Sequence, residues 1–303
     1  MSTAHGRADL IDPLTLAQLG TVEVGARWIV DGFMSGLHRS PRKGFSVEFA
    51  EHRPYQTGDD LRYLDWKIAA RLDRWMVKLN EEQTNLRATI VLDCSRSMDW
   101  TGSPARLTKQ RYADRLVAAL ALLLLRQKDA VGLVRFDDTV RSLIPPRARQ
   151  THWHRLVQAL DEPRAGATTD ATGGLLRAAT MVGKRGLVVL VSDLLMPPEA
   201  LDEALRALRT SGHVVTVFQV LDPAEIDLSL AATDVRLDDV ESPDSTTITV
   251  PDLQGAYRAT VDAVRTEWRE RCAAQGAMYE TVRTDEPFGV PLRRAFAVRE
   301  RMP

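Results

Sequence analysis

Cysteine is scarce in this chain: Cys94 and Cys272 are the only two among 303 residues. Two such residues build no disulfide framework, and their scarcity favours a reduced, cytoplasmic setting. Charge of one sign is not in excess either. Lys and Arg number 40 against 41 Asp and Glu, so no field steers the chain toward nucleic acid or an anionic membrane surface. Long apolar runs are also missing. Leu116–Leu125, the longest, has ten residues, whereas a membrane helix needs roughly 20; it reads as a core helix, and no membrane span is expected. No basic-then-apolar leader pattern opens the chain. No Gly-x-x-x-x-Gly-Lys-Ser/Thr loop is present to cradle phosphates, and no Ser-His-Asp grouping or nucleophile elbow is evident. His152 and His154 stand two apart and share no helical face. They read as exposed or capping histidines rather than a zinc pair.

What is present centres on Ala88-Thr-Ile-Val-Leu-Asp-Cys-Ser-Arg-Ser-Met98. The apolar, β-branched run Thr89–Leu92 reads as a strand buried on both faces. It stops at Asp93, and hydroxyls follow at alternate positions, Ser95 and Ser97. A carboxylate and two hydroxyls at the carboxyl end of a core strand stand at the edge where open α/β sheets bind ligands. All-oxygen donors with little charge suit a hard cation such as Mg²⁺, or Mn²⁺, and leave it a position open to an incoming carboxylate or phosphate. The alternative is that Asp93 and the serines only cap the following helix. Two further stretches favour a site. Gly166-Ala-Thr-Thr-Asp170 is a loop ahead of a helical segment, and Gly186-Leu-Val-Val-Leu-Val-Ser-Asp193 is a second apolar strand ending in a carboxylate. If the two strands are neighbours, Asp93 and Asp193 converge. Cys94, inside the loop, reads as a small apolar filler.

From residue 87 onward, strands alternate with helices of ten residues or more. That pattern predicts a mostly parallel sheet with helices on both faces. Val131–Phe136 and Val140–Ile144 form a hairpin turned at Asp137-Asp-Thr139 and ended by Pro145-Pro146, and Thr151 is the expected N-cap of the next helix. Asp222–Val250 reads as a small β-ribbon insertion with strands near Asp234–Val240 and Thr246–Val250. Two domains follow: an N-terminal extension, residues 1–85, packing on the core, and an α/β domain over 86–303 with its insertion at about 222–250.

Asp93-x-Ser95-x-Ser97, the downstream Thr of Gly166–Asp170 and Asp193 together resemble the metal-ion-dependent adhesion site of von Willebrand factor A domains. Position by position, the resemblance implies Asp93, Ser95, Ser97, Thr169 and Asp193 as metal ligands, the last through water. Thr168 is the neighbouring alternative to Thr169, because Gly-Ala-Thr-Thr replaces the usual Gly-Gly-Thr. The implied fold is α/β and von Willebrand factor A-like (Rossmann-like), its hairpin supplying one antiparallel edge strand. A narrower resemblance covers nearly the whole chain. Glu48-Phe-Ala-Glu-His-Arg-Pro-Tyr-Gln-Thr-Gly-Asp-Asp-Leu-Arg-Tyr-Leu-Asp-Trp-Lys67, then Ala70-Arg71, is similar to a bacterial domain-of-unknown-function family, number fifty-eight. Its members have a von Willebrand A-like core and are often encoded beside MoxR-type AAA+ ATPases. Longer relatives carry membrane anchors, and this chain resembles the shorter, soluble form.

The expected function is therefore a non-enzymatic, metal-dependent protein-interaction module in which Mg²⁺ accepts an Asp or Glu from a partner. By resemblance, the partner is a MoxR-type AAA+ ATPase or its substrate, in protein assembly or maturation. One alternative is a metal-dependent phosphohydrolase with Asp93 as nucleophile. That chemistry wants a second acid and a basic side chain close by, for which Arg96 and Asp99 are the nearest candidates. Another is a scaffold whose metal site is vestigial. Arg53, Tyr55, Asp59, Asp60, Arg62, Asp65, Trp66 and Lys67 crowd charge and aromatic surface together. They form either a partner-binding surface or an ion-pair network that locks the extension to the core.

Overall fold

The computed structural model describes residues 21–37, 52–56, 64, 66–72, 74–78, 86–162, 171–228, 234–238 and 245–299. The chain falls into two compact units, residues 1–39 with 86–303, and residues 40–85. Residues 1–39 group with the larger unit and residues 40–85 stand apart. In chain order, α1 (Val22–Leu37) comes first. The smaller unit then holds β1 (His52–Pro54), α2 (Trp66–Leu72) and β2 (Met76–Lys78), with β1 and β2 paired antiparallel. Phe45–Ala50, whose alternation in sequence reads as a strand, lies outside the described residues.

The larger unit continues with β3 (Arg87–Asp93), a 3-10 turn at Arg96–Asp99, α3 (Lys109–Arg126), β4 (Ala130–Phe136), β5 (Val140–Arg147), α4 (His152–Asp161) and α5 (Thr172–Met181). Then come β6 (Gly186–Ser192), α6 (Pro198–Thr210), β7 (His213–Leu221), α7 (Pro223–Asp227), β8 (Asp234–Asp238), β9 (Ser245–Thr249), α8 (Val250–Ala274), β10 (Met278–Arg283) and α9 (Gly289–Arg299). Six strands form one sheet in the order β10-β7-β6-β3-β4-β5. Every neighbouring pair is parallel except β4 with β5. The expected α/β sheet with one antiparallel edge is what the chain builds, and β8 with β9 forms the expected small ribbon.

The core explains the continuous apolar strands. In β3 and β6 every residue after the first is buried, because helices cover both faces. One face packs Val91, Val134, Val188, Leu190 and Val217 against α5, α6 and the Trp268–Cys272 turn of α8. The other carries α3, in which all residues but Arg111 and Arg126 are buried. A helix on a sheet normally keeps one face wet. Here α1 covers that face, packing on α3 and α4 through Val22, Ala26, Ile29, Val30 and Phe33.

Two local expectations give way. Pro145 and Pro146 lie inside β5 rather than ending it. Proline is tolerated on an edge strand or a bulge, and the ladder shifts register between Val131 and Leu133. Gly132 makes room there: a Cβ on it would stand 2.7 Å from the Ile144 carbonyl oxygen and 2.9 Å from Pro146 Cδ. Thr151 makes no side-chain cap bond, and His152 is buried, its Nε2 3.1 Å from the Val131 carbonyl oxygen.

Candidate metal centre at the carboxyl edge of the sheet

Asp93 is the last residue of β3 and Ser192 the last of β6, and those strands are parallel neighbours. The carboxyl ends of the two strands therefore meet at one edge. Ser192 Oγ donates to Asp93 Oδ2 at 2.6 Å, and the Ser95 amide donates to Asp93 Oδ1 at 2.8 Å. Ser95 Oγ and Ser97 Oγ are 3.1 Å apart, held by the 3-10 turn. Asp93 and Asp193 are each only 1% exposed. Asp193 is fixed by its surroundings: Oδ1 accepts from the Leu195 amide at 3.1 Å, and its carbonyl oxygen accepts from Gln219 Nε2 at 3.1 Å. Leu194, between them, has φ 59°, a left-handed conformation that costs a leucine on the order of 1 kcal/mol or more. Ser192 Oγ, which accepts from the Leu194 amide at 3.0 Å, helps to hold it.

Sequence reasoning missed Lys109, Ser192 and Glu225. Lys109 Nζ donates to Asp193 Oδ2 at 2.8 Å and to Glu225 Oε1 at 2.6 Å, with its own side chain buried. Glu225 Oε2 accepts from the Asp222 amide at 2.8 Å, closing a capping box at the start of α7. Asp222 also accepts from Arg106 Nη2 at 2.9 Å, from Thr101 Oγ1 at 3.3 Å and from Thr284 Oγ1 at 3.2 Å. Gly102 lets this loop close on α7, since a Cβ there would lie 2.4 Å from Ala224 Cβ. A faint signal for Lys109 existed. A lysine at the first position of a helix opposes the helix dipole and needs an anion to justify it.

The electrostatics set Asp93 apart. Burial, then the charge of Asp193, pushes its carboxyl up to about 6, against the bonds from Ser192 and Ser95. Burial works against the Lys109 ammonium, yet Asp193 and Glu225 outweigh it and hold its pKa above the ordinary lysine value. Burial raises Glu225 in spite of Lys109. Lys109 thus pairs with two carboxylates, Asp193 and Glu225, while the bonds to Asp93 come from neutral donors, so the three carboxylates formally carry three negative charges against one ammonium. Burial pushes the Cys94 thiol up to about 11, as fits an inert filler.

The residues present fit a hard divalent cation. Among the described residues no three of His, Cys, Asp and Glu converge on one point, so a metal here would rest on one carboxylate, hydroxyls and water, the donors Mg²⁺ accepts. The 3.1 Å between the two serine hydroxyl oxygens is close to the ~3.0 Å octahedral edge that follows from Mg²⁺–oxygen distances. The formal charge left over, two negative, is opposite in sign and equal in size to that of such an ion. Asp93, Ser95, Ser97 and Asp193 are therefore brought together. Thr169, with Thr168 and Asp170, lies outside the described residues. Of its flanks, Arg135 bonds the Glu162 carbonyl oxygen at 3.2 Å, and a Cβ on Gly174 of α5 would meet the Asp137 carbonyl oxygen at 2.0 Å. Both flanks thus lie at β4 and the turn that follows it.

The other expected surface falls in the 40–85 unit. Arg53 is in β1, Trp66 and Lys67 begin α2, and Asp59, Asp60, Arg62 and Asp65 lie outside the described residues. Tyr55 stands 5.9 Å from Trp75 between ring centroids, and Trp66 is 62% exposed. No helix among the described residues is long and apolar enough to cross a membrane.

The chain is 28% identical over 299 residues, 97% of its length and 93% of the relative's, to an uncharacterized protein of Mycobacterium bovis, and equally to one of Mycobacterium tuberculosis. Among solved structures it is similar to an aerotolerance-related membrane protein of Bacteroides fragilis, at TM-score 0.47 and 16% identity over 72% of this chain and 100% of that one. It is also similar to the VWA domain of SpRpn10, at TM-score 0.40 and 8% identity over 70% of this chain and 96% of that one. Residues 51–271 match the family described as "Protein of unknown function DUF58", and the chain belongs to that family.

Proposed function

We propose that this chain is a non-enzymatic, metal-dependent protein-interaction module. Asp93, Ser95 and Ser97 would hold Mg²⁺ or Mn²⁺, with Thr169 and Asp193 completing the site. The observation that carries this reading is the buried Asp93 carboxylate, held by neutral donors in a pocket with two uncompensated negative charges. When bound, the cation supplies a Lewis-acidic position open to a carboxylate from a partner. The chain's own residues orient it: Ser192 and the Ser95 amide fix Asp93, and the 3-10 turn presents Ser97. Trp100 and Leu195, 41% and 59% exposed, flank the site as apolar contact surface. Trp100 donates its amide to the Ser97 carbonyl oxygen at 3.3 Å, and Leu195 bonds Asp193. A desolvated carboxylate on the cation, ringed by such side chains, is a specific anchor.

By family resemblance the partner is a MoxR-type AAA+ ATPase or its substrate. The phosphohydrolase alternative gains nothing here, because the basic side chain in the pocket, Lys109, is committed to Asp193 and Glu225. Calorimetric titration of Mg²⁺ and Mn²⁺ into the protein and its Asp93→Ala variant tests the reading. Saturable binding lost in the variant supports it, as does capture of the ATPase that EDTA abolishes. No binding in the unsubstituted protein leaves the scaffold reading.

A further inference from the structure

We propose that Lys109 is a positioning residue that sets the charge of the metal pocket, an inference that rests on the metal reading above. The pocket's two aspartates are not equivalent. Asp193 has a cation on Oδ2, at 2.8 Å from Lys109 Nζ, and an amide on Oδ1. Asp93 accepts from a hydroxyl and an amide. Lys109 is 0% exposed, and its Nζ is anchored by Glu225 as well as by Asp193. Glu225 is in turn locked by the capping box of α7, through Asp222, and Asp222 is held by Arg106. A buried ammonium fixed at this point does two things. It draws Asp193 away from direct service to the cation, which leaves Asp93 with Ser95 and Ser97 as the direct donors. It also sets one positive charge against the buried Asp93 and Asp193 and the partly exposed Glu225, so that a divalent ion brings the formal sum to neutrality and a trivalent ion overshoots.

The test changes the pocket charge in both directions. Lys109→Met removes the cation and frees Asp193; Glu225→Gln removes an anion and leaves Lys109 on Asp193. The readouts are Mg²⁺ and Tb³⁺ affinities by calorimetry and the thermal midpoint with EDTA or saturating metal. Lys109→Met is expected to shift discrimination toward Tb³⁺ by at least tenfold, and to show a larger metal-induced rise in midpoint than the unsubstituted protein. Glu225→Gln is expected to weaken Mg²⁺ at least threefold, and it carries the test if Lys109→Met does not fold. Mg²⁺ affinity and ion preference within twofold of the unsubstituted protein in every variant that folds would overturn the role of Lys109 while the metal reading stands. An absence of saturable binding in the unsubstituted protein would remove the metal reading and this inference together.

Discussion

At Asp93 burial and a neighbouring anion both resist ionisation, and the consequence is measurable without any partner. Its carboxyl is raised from 3.8 to about 6 in the folded chain, so between those values the folded state binds more protons than the unfolded one. Stability of the metal-free protein must therefore fall as pH rises through that window, by on the order of 3 kcal/mol from this group alone. Glu225 is also raised, and Asp193 and Lys109 face the same pocket, so the contribution of Asp93 is isolated by difference. In EDTA, the thermal midpoint of the unsubstituted protein should drop from pH 4.5 to 6.5 relative to Asp93→Asn. Saturating Mg²⁺ should abolish that difference, since a bound cation favours the ionised form. Below about pH 6 the metal competes with a proton, and affinity should fall about tenfold per pH unit. A midpoint difference that does not move with pH would show that Asp93 is not the strained group. Asp93 and Asp193 were legible because each ends a continuous apolar run, and a polar group that stops such a run stands at the sheet edge. Lys109 was not. Periodicity marks which face of a helix is buried, and it says nothing of a charged residue buried at the helix start through partners 84 and 116 positions away.

Among the described α-helices α7 is the shortest, and its N-cap is tied to several elements. Asp222 is buried and holds Arg106, Thr101, Thr284 and the Ala224 amide at one point, which joins the loop after β3 to the ends of β7 and β10. Asp222→Ala strands a partly buried guanidinium and the first amides of α7. It is expected to cost about 2–4 kcal/mol, read as a lower urea midpoint with an unchanged slope. A loss within 0.5 kcal/mol would mean that water replaces the carboxylate and that the loop is not tied. The Asp222-Pro-Ala-Glu225 pattern is itself a capping-box signature. It was absorbed into the polar 222–250 insertion because no apolar run follows it. The prolines of β5 misled for a related reason: a proline forbids a central strand, and only pairing on one side makes β5 an edge where Pro145 and Pro146 are admitted.

At the scale of the whole molecule, the sheet and its single antiparallel edge follow from alternation of apolar strands with long helices. The place of α1 does not. Val22–Leu37 shows an apolar face in sequence, but a face does not name what it covers, and the cover turns out to be the outer side of α3. That arrangement explains why Leu116–Leu125 is apolar all round without spanning a membrane: it has the sheet on one side and α1 on the other. Removing α1 would bare an apolar helix, not trim a tail. A variant lacking residues 1–39 is expected to lose cooperative unfolding and to bind a hydrophobic dye, as a chain does when packing is lost and collapse remains. Phe33→Ala, which only thins the contact, should cost about 3–5 kcal/mol and keep a single transition. Both follow from one geometry, and they separate it from a peripheral helix. If the shortened chain unfolds as sharply as the full one and Phe33→Ala is silent, α1 is dispensable and α3 tolerates water along its apolar side. If both effects are seen, the main unit includes α1, which ends 50 residues before the β3 strand that leads to the candidate site, and substitutions in α1 should lower metal affinity only as far as they lower stability.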